Sequence, residues 1–293
     1  MLDADIRGFF DAIDREQLIQ FVEHRIGDKR VVGLLHKWLH AGVMEAGQLT
    51  DSDTGTAQGA AISPLLANVY LHYVLDLWAQ QWRTRHAGGE MIIVRYADDF
   101  VVGFERRVDG ERFRAALAER LGKFKLELHP EKTRLIEFGR YAAVNRQQRG
   151  QGKPETFTFL GLTHICGKGL KAPFVLNRHT AKKRLCAKLA EIREECHERR
   201  HQPIPEQGKW LRAVLLGYYN YHAVPTNTRA MQLFHRETER HWRSALQRRS
   251  QTATVKWDRM KTLSKRWLPA PRVQHPWPNL RFELRLQGRS PVR

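Results

Sequence analysis

Two periods of hydrophobic and polar residues run along this chain, and the change from one to the other divides it. Leu2, Ala4 and Ile6 alternate with Asp3 and Asp5, the two-residue period of a strand with one buried face, and Gly8 ends the run. Phe9, Phe10, Asp11 and Ile13 follow, then Asp14 with Gln17 three residues on, the pattern of a capping box. The helix this opens offers Leu18, Phe21 or Val22, and Ile26 to a core. A second helix is expected from Lys29 to about His40, with Val32, Leu35 and Leu39 on one face, and residues 42–59 read as short strand and loop. Ser63 and Pro64 predict a helix start with serine as cap and proline at the first helical position. Leu66, Val69, Tyr70, Tyr73, Val74 and Leu77 then recur at intervals of three and four until Gly88 and Gly89.

The stretch Met91 to Glu105, MIIVRYADDFVVGFE, has two short apolar runs rich in β-branched and aromatic residues, which predict a hairpin with Asp98 and Asp99 at its turn. Phe113, Leu117, Leu121 and Phe124 predict a further helix, Thr133 to Phe138 a strand, residues 140–155 a polar surface loop, and Thr156 to Thr163 another strand. From Asn177 onward the period is helical almost throughout. Helices are expected near Thr180–Arg200, Glu206–His222, Asn227–Arg249 and Lys256–Trp267, and the last 25 residues, rich in Pro and Arg, are expected to wrap the surface or fray.

Charge follows the same division. Residues 1–164 hold 22 Lys and Arg against 22 Asp and Glu, so residues 165–293 carry the whole net charge of +19. A basic half beside a neutral half points to a polyanion-binding module joined to a domain with another task. No apolar run approaches the length of a membrane span, and no basic-then-apolar leader follows Met1, so no membrane role is expected and a cytoplasmic setting is. Cys166, Cys186 and Cys196 are too widely spaced for a CxxC zinc site and read as reduced thiols.

A strand with Asp5, then helices, a hairpin with Asp98 and Asp99, a helix and a strand follow the β-α-β-β-α-β order of a split ferredoxin-like sheet. In that order the first strand lies beside the hairpin, so Asp5 is expected to face Asp98. Two adjacent ionised carboxylates repel each other and lose hydration, costs that a divalent cation relieves. Three carboxylates at one sheet surface suit two Mg²⁺ ions, the arrangement for nucleotidyl transfer.

Several blocks together resemble the reverse transcriptases encoded by group II introns, with their attached thumb or maturase domain. They are DIRGFFDAID from Asp5, GTAQGAAISPLLANVYLHYVLD from Gly55, YADD from Tyr96, LELHPEKT from Leu126, FTFLGL from Phe157, and in the basic half GYYNYHAVP, RRSQ and RWLPAPR with HPWP. The resemblance implies an α+β architecture: a reverse-transcriptase palm over residues 1–165, followed by an all-α basic thumb and maturase domain over 166–293. It implies Asp5, Asp98 and Asp99 as catalytic metal ligands for two Mg²⁺ ions, with the Ile6 carbonyl a further ligand. Phe10 corresponds to an aromatic gate against ribonucleotides, or is core together with Phe9. Gln58 and Gly59, before a helix N-terminus, correspond to a nucleotide-binding loop, although Ala57 and Ala60 depart from the family's Pro-Gln-Gly-Gly. Lys132 corresponds to a lysine near the triphosphate, or is one solvated lysine among many, and Phe159, Leu160 and Gly161 correspond to the primer grip.

Lys182, Lys183, Arg184, Arg199, Arg200, Arg248 and Arg249 are candidates for RNA phosphate contacts, while Tyr218, Tyr219 and Tyr221 either stack on RNA or belong to a core. The implied partners are intron RNA, an RNA/DNA primer-template and deoxynucleoside triphosphates in a ribonucleoprotein. The first matching block begins four residues into the chain, so the basic fingers region is expected to be missing and synthesis to be weak. The family's zinc-bearing endonuclease module is expected to be absent too. An idle RNA-binding maturase remnant and a defence-associated reverse transcriptase are the alternatives.

Overall fold

In a computed structural model the described residues are 1–40, 43–45, 48–50, 62–169, 174–250 and 254–277. They divide into two compact units, Met1–Phe138 and Gly139–Arg293. The position expected to separate the domains, residue 165, lies within a strand of the second unit. The cut at Phe138 sharpens the charge division. The first unit holds 18 basic and 21 acidic residues, the second 32 and 10.

The first unit is built on a four-stranded antiparallel sheet. Its strands are β1 (Leu2–Ala4), β4 (Met91–Tyr96), β5 (Asp99–Phe104) and β6 (Arg134–Leu135), in the order β4-β5-β1-β6. β2 (Val43–Glu45) and β3 (Gln48–Thr50) form a separate hairpin. The alternation in the sequence sends Leu2, Ala4, Phe100, Val102 and Met91 into the core. There they meet α1 (Phe9–Ala12), α2 (Arg15–Glu23), α3 (Lys29–His40), α4 (Ser63–Leu71), α5 (Leu77–His86) and α6 (Arg107–Gly122). Asp14 caps α2 as expected, its carboxylate accepting from Gln17 N at 3.1 Å. The cap of α4 is Ile62 rather than Ser63, which is the first helical residue. β1 and β6 are shorter than their alternation suggested, because the chain leaves the ladder early; Ile6 makes only an isolated bridge, with Leu128.

Between α4 and α5 the helix does not stay regular. His72–Asp76 form a π-turn, with Leu77 N donating to His72 O, so one helix runs on from Ser63 to His86 with a residue inserted.

The second unit departs further from the expected order. Residues 140–155 are not all loop: Ala142–Gln148 form α7, seated on the buried Ala142. The single strand expected over Thr156–Thr163 is a hairpin of β7 (Phe157–Phe159) and β8 (Leu162–Gly167), continued by β9 (Val175–Thr180). The end of β8 and all of β9 therefore lie in residues 166–293, where helices alone were expected. Its helices α8 (Lys182–Glu198), α9 (Ile204–His222), α10 (Thr228–Gln247) and α11 (Trp257–Trp267) follow the predicted spans closely. They enclose Leu211, Leu215, Tyr219, Phe234 and Trp242, and a buried polar knot sits at one end. In that knot Asn227 donates to Thr180 Oγ1 and His222 O, both at 2.8 Å, and accepts from Thr180 N at 2.9 Å. No described helix is long and apolar enough to cross a membrane.

Candidate active site

The β4–β5 hairpin closes on the pair Tyr96 and Asp99, leaving Ala97 and Asp98 as a two-residue turn in which Ala97 has φ 53°. β1 runs antiparallel to β5 with Ala4 opposite Phe100. Continued by one residue, this register sets Asp5 opposite Asp99, not opposite Asp98 as expected. Side chains alternate across a sheet, so Asp3, Asp5, Val101 and Asp99 share the face away from the core. β4 adds Ile92, Val94 and Tyr96 to that face, and these are 63%, 49% and 66% exposed. Large apolar side chains beside carboxylates on an open sheet surface suit a partner that covers both.

Lys132 sits at this corner, its Nζ 2.7 Å from Asp5 Oδ2. The hydrogen bond Lys132 donates to Asp5, then the charges of Asp5 and Asp99, hold the Lys132 ammonium above its ordinary pKa. The loop that delivers it is tied to the strand end by backbone: Arg7 N donates to Glu127 O and His129 N to Asp5 O, at 2.9 and 2.8 Å. On the same loop, His129 Nδ1 and Thr133 Oγ1 are buried without a protein hydrogen-bond partner. Asp3 is spoken for by Arg134 at 3.2 Å, and burial raises its pKa. Among the described residues no three His, Cys, Asp or Glu side chains stand close enough together to enclose a metal ion. The fit to a divalent cation rests on other facts. The donors are hard carboxylate oxygens, and the Asp5–Asp99 corner already holds a cation, the ammonium of a well-exposed lysine able to swing aside.

Three residues here had not been singled out. Arg95 donates through Nε and Nη2 to both carboxylate oxygens of Asp76, at 2.8 and 2.5 Å, and through Nη1 to Asn68 Oδ1 at 2.8 Å and Ala97 O at 2.9 Å. The signal was present in the sequence, since Arg95 breaks an apolar strand one residue before the YADD segment. What the sequence lacked was the π-turn that orients its partners.

Of the other expected site residues, Ile6 is buried, and Phe10 is half-buried at the core edge with its ring 5.4 Å from that of Phe9. Gln58 and Gly59 lie outside the described residues. Phe159 ends β7, and Leu160 and Gly161 form the following turn with φ 49° and 73°. At Gly161 the left-handed backbone favours glycine; a Cβ there would lie 2.9 Å from Arg184 Cδ, on a long side chain free to shift. Tyr221 Oη donates to Leu160 O at 2.8 Å, tying this turn to α9, while Tyr218 and Tyr219 are core.

The basic candidates separate into two groups. Arg199 is held by Glu195 at 2.7 Å and lies over Trp210; Arg200 is engaged by His197 and His201; Arg249 donates to Gln202 O at 2.6 Å. Arg248 instead lines, with Arg193, His197 and His241, an open cavity of about 420 Å³ between α8 and α10. Lys182, Lys183 and Arg184 are exposed in the first turn of α8, where positive side chains oppose the helix dipole. An anion there would relieve that opposition.

The chain is similar to several known proteins. The chain is 42% identical over 80 residues to the group II intron-encoded protein LtrA of Lactococcus lactis, which covers 26% of this chain and 13% of LtrA. It is 30% identical over 168 residues to protein YkfC of Escherichia coli, covering 46% of this chain and 42% of YkfC. It thus spans less than half the length of either relative. The telomerase of Candida albicans, solved with a fragment of telomeric RNA, matches 90% of this chain and 43% of its own at a TM-score of 0.51 and 11% identity, a likeness of fold alone. The family model described as reverse transcriptase (RNA-dependent DNA polymerase) matches residues 1–164, more than half of the 293, and the chain belongs to that family.

Proposed function

We propose that this chain is the palm and thumb of an intron-encoded reverse transcriptase: its first unit extends DNA on an RNA template and its basic second unit holds RNA, including the intron that encodes it. The observation that carries the reading is Lys132, with its Nζ 2.7 Å from Asp5 and under the charges of both Asp5 and Asp99, where β1 ends beside β5. The sheet order β6-β1-β5-β4, with helices on one face, supports reading the unit as a split ferredoxin-like palm.

Reverse transcriptases as a family use divalent metal ions. Two Mg²⁺ ions held by Asp5, Asp98 and Asp99 would supply Lewis-acid activation of the primer hydroxyl and neutralise charge on the leaving oxygen. The protein's own side chains do the rest. Lys132 keeps a proton on Nζ at neutral pH, which it can give to the departing pyrophosphate. Phe10, half-buried at the edge of the core, would offer a ring against the sugar and exclude a 2′-hydroxyl. The turn of Leu160 and Gly161, fixed by Tyr221 and by Ala181 N donating to Gly161 O at 2.9 Å, is a rigid support for the primer end. Lys182, Lys183, Arg184 and Arg248 would make phosphate contacts, which set affinity without reading sequence.

Addition of one deoxynucleotide to a primer annealed to RNA tests the reading. Extension is expected with deoxynucleotides and Mg²⁺ and not with ribonucleotides. RNA binding without any extension would instead favour a maturase that binds RNA and leaves its carboxylates idle.

A further inference from the structure

Arg95 is the most fully engaged charged side chain near the carboxylates. Its guanidinium meets four acceptors, two on Asp76, one on Asn68 and the carbonyl of Ala97, and its side chain is only 14% exposed. A planar guanidinium gripping a carboxylate with two parallel bonds is directionally rigid. The Ala97 carbonyl is the first peptide of the turn that carries Asp98, and Ala97 itself is left-handed, a conformation unfavourable to an L-residue. Such a conformation persists where its surroundings hold it.

The helix is shaped to do this. In a regular α-helix Asn68 and Asp76, eight residues apart, would point about 80° apart around the axis. The residue inserted by the π-turn His72–Asp76 removes roughly 100° of that rotation, leaving the two about 20° apart, on one face. Both then reach one guanidinium. A regular helix would offer Arg95 one partner or the other.

We propose that Arg95, held by Asp76 and Asn68, is a positioning residue that locks the Ala97–Asp98 turn so that Asp98 and Asp99 present their carboxylates to a divalent cation together with Asp5. This rests on the metal site of the proposed function, and the two can fail separately. Coulomb's law makes the effect recognisable by its sign. Deleting a cation near carboxylates should by charge alone tighten binding of a divalent ion. Loss of positioning should weaken it.

The test is titration of the full chain with Mn²⁺ alone, following free Mn²⁺ by electron paramagnetic resonance. Wild type is expected to bind Mn²⁺ and Asp5→Asn to abolish that binding. Arg95→Met should weaken it about 10- to 100-fold, the usual range for partners that orient metal ligands. Arg95→Lys should weaken it too, because an ammonium cannot grip both oxygens, and the exposed Asn68→Ala, which spares the ion pair and the fold, by severalfold. Leu121→Ala, in the core, should lower the melting temperature as much or more with affinity within twofold of wild type, which separates positioning from general loosening. Unchanged or tighter binding in the Arg95 and Asn68 variants, with Asp5→Asn still abolishing it, would overturn the clamp and leave the metal site standing. Wild type without Asp5-dependent Mn²⁺ binding would overturn both.

Discussion

In the Met1–Phe138 unit the decisive side chains are tied by charge at the surface: Lys132 on Asp5, Lys125 on Asp14, Arg134 on Asp3, Arg95 on Asp76. In the Gly139–Arg293 unit the corresponding ties are neutral and buried. Asn227 joins Thr180 to the His222 carbonyl, and Trp242 Nε1 donates to Gln207 Oε1 at 2.9 Å. The difference is instructive because the second unit has cations in excess. With 32 basic residues against 10 acidic ones, the second unit pairs some of its cations internally, as Arg199 with Glu195, and still holds an excess for an outside polyanion. A unit that spends its cations on its own carboxylates sets those carboxylates in place.

The contrast breaks most visibly at Asn227. Replacing it with alanine strands the buried Thr180 N–H and leaves the His222 carbonyl with Val224 N as its donor, and is expected to cost about 2 kcal/mol or more in the unfolding of the second unit, measured by urea denaturation. Arg134→Ala, which opens an exposed pair in the first unit, is expected to cost under about 1 kcal/mol in the same measurement. Equal losses would erase the distinction.

Acid should separate the units next. Burial, then the charge of Arg184, pushes His222 down to about 4. Between the ordinary histidine value near 6.5 and about 4, the unfolded chain takes up a proton that the folded chain refuses, so stability of the second unit falls as pH falls through that window. His222→Gln should flatten this dependence. Asp14 acts in a different range: the hydrogen bond from Lys125 lowers its pKa, so its contribution is complete above about 4 and is lost as pH falls further. Melting temperatures recorded from pH 7 to 3 should therefore show the second unit weakening first.

Salt gives the smallest of these effects. Removing Lys182, Lys183 and Arg184 together is expected to reduce the slope of log affinity for single-stranded RNA against log salt by roughly 2, with little change in stability. An unchanged slope would move the phosphate contacts elsewhere, the groove lined by Arg193 and Arg248 being the next place to look.

Much of this was readable in the residues, for identifiable reasons. The hairpin bearing Asp98 and Asp99, the Asp14 cap and the long basic helices follow from period and local chemistry, which act within a few residues. The partner of Asp5 is not legible in the sequence because register depends on where the chain leaves the ladder, and a slip of one residue exchanges Asp98 for Asp99. The hairpin of β7 and β8 was read as one strand because its turn, Leu160 and Gly161, carries only one glycine and no Asn or Asp. Tyr221 looked like one aromatic in a run, and only the fold distinguishes it from its buried neighbours. Arg199 and Arg249 each have an internal partner in the fold, Glu195 and the Gln202 carbonyl. The π-turn left no signal at all, since helical spacing continues across it.

The most direct measurement is single-nucleotide addition on a primed RNA template by wild type, Asp5→Asn, Asp98→Asn and Asp99→Asn, with RNA affinity measured on the same samples. Each substitution is expected to reduce addition at least about 100-fold, the scale of losing one preorganised charge in an active site, while affinity stays within twofold of wild type. Addition that survives in the Asp98 and Asp99 variants, or RNA affinity that falls in step with it, would contradict the assignment of catalysis to the first unit and RNA binding to the second.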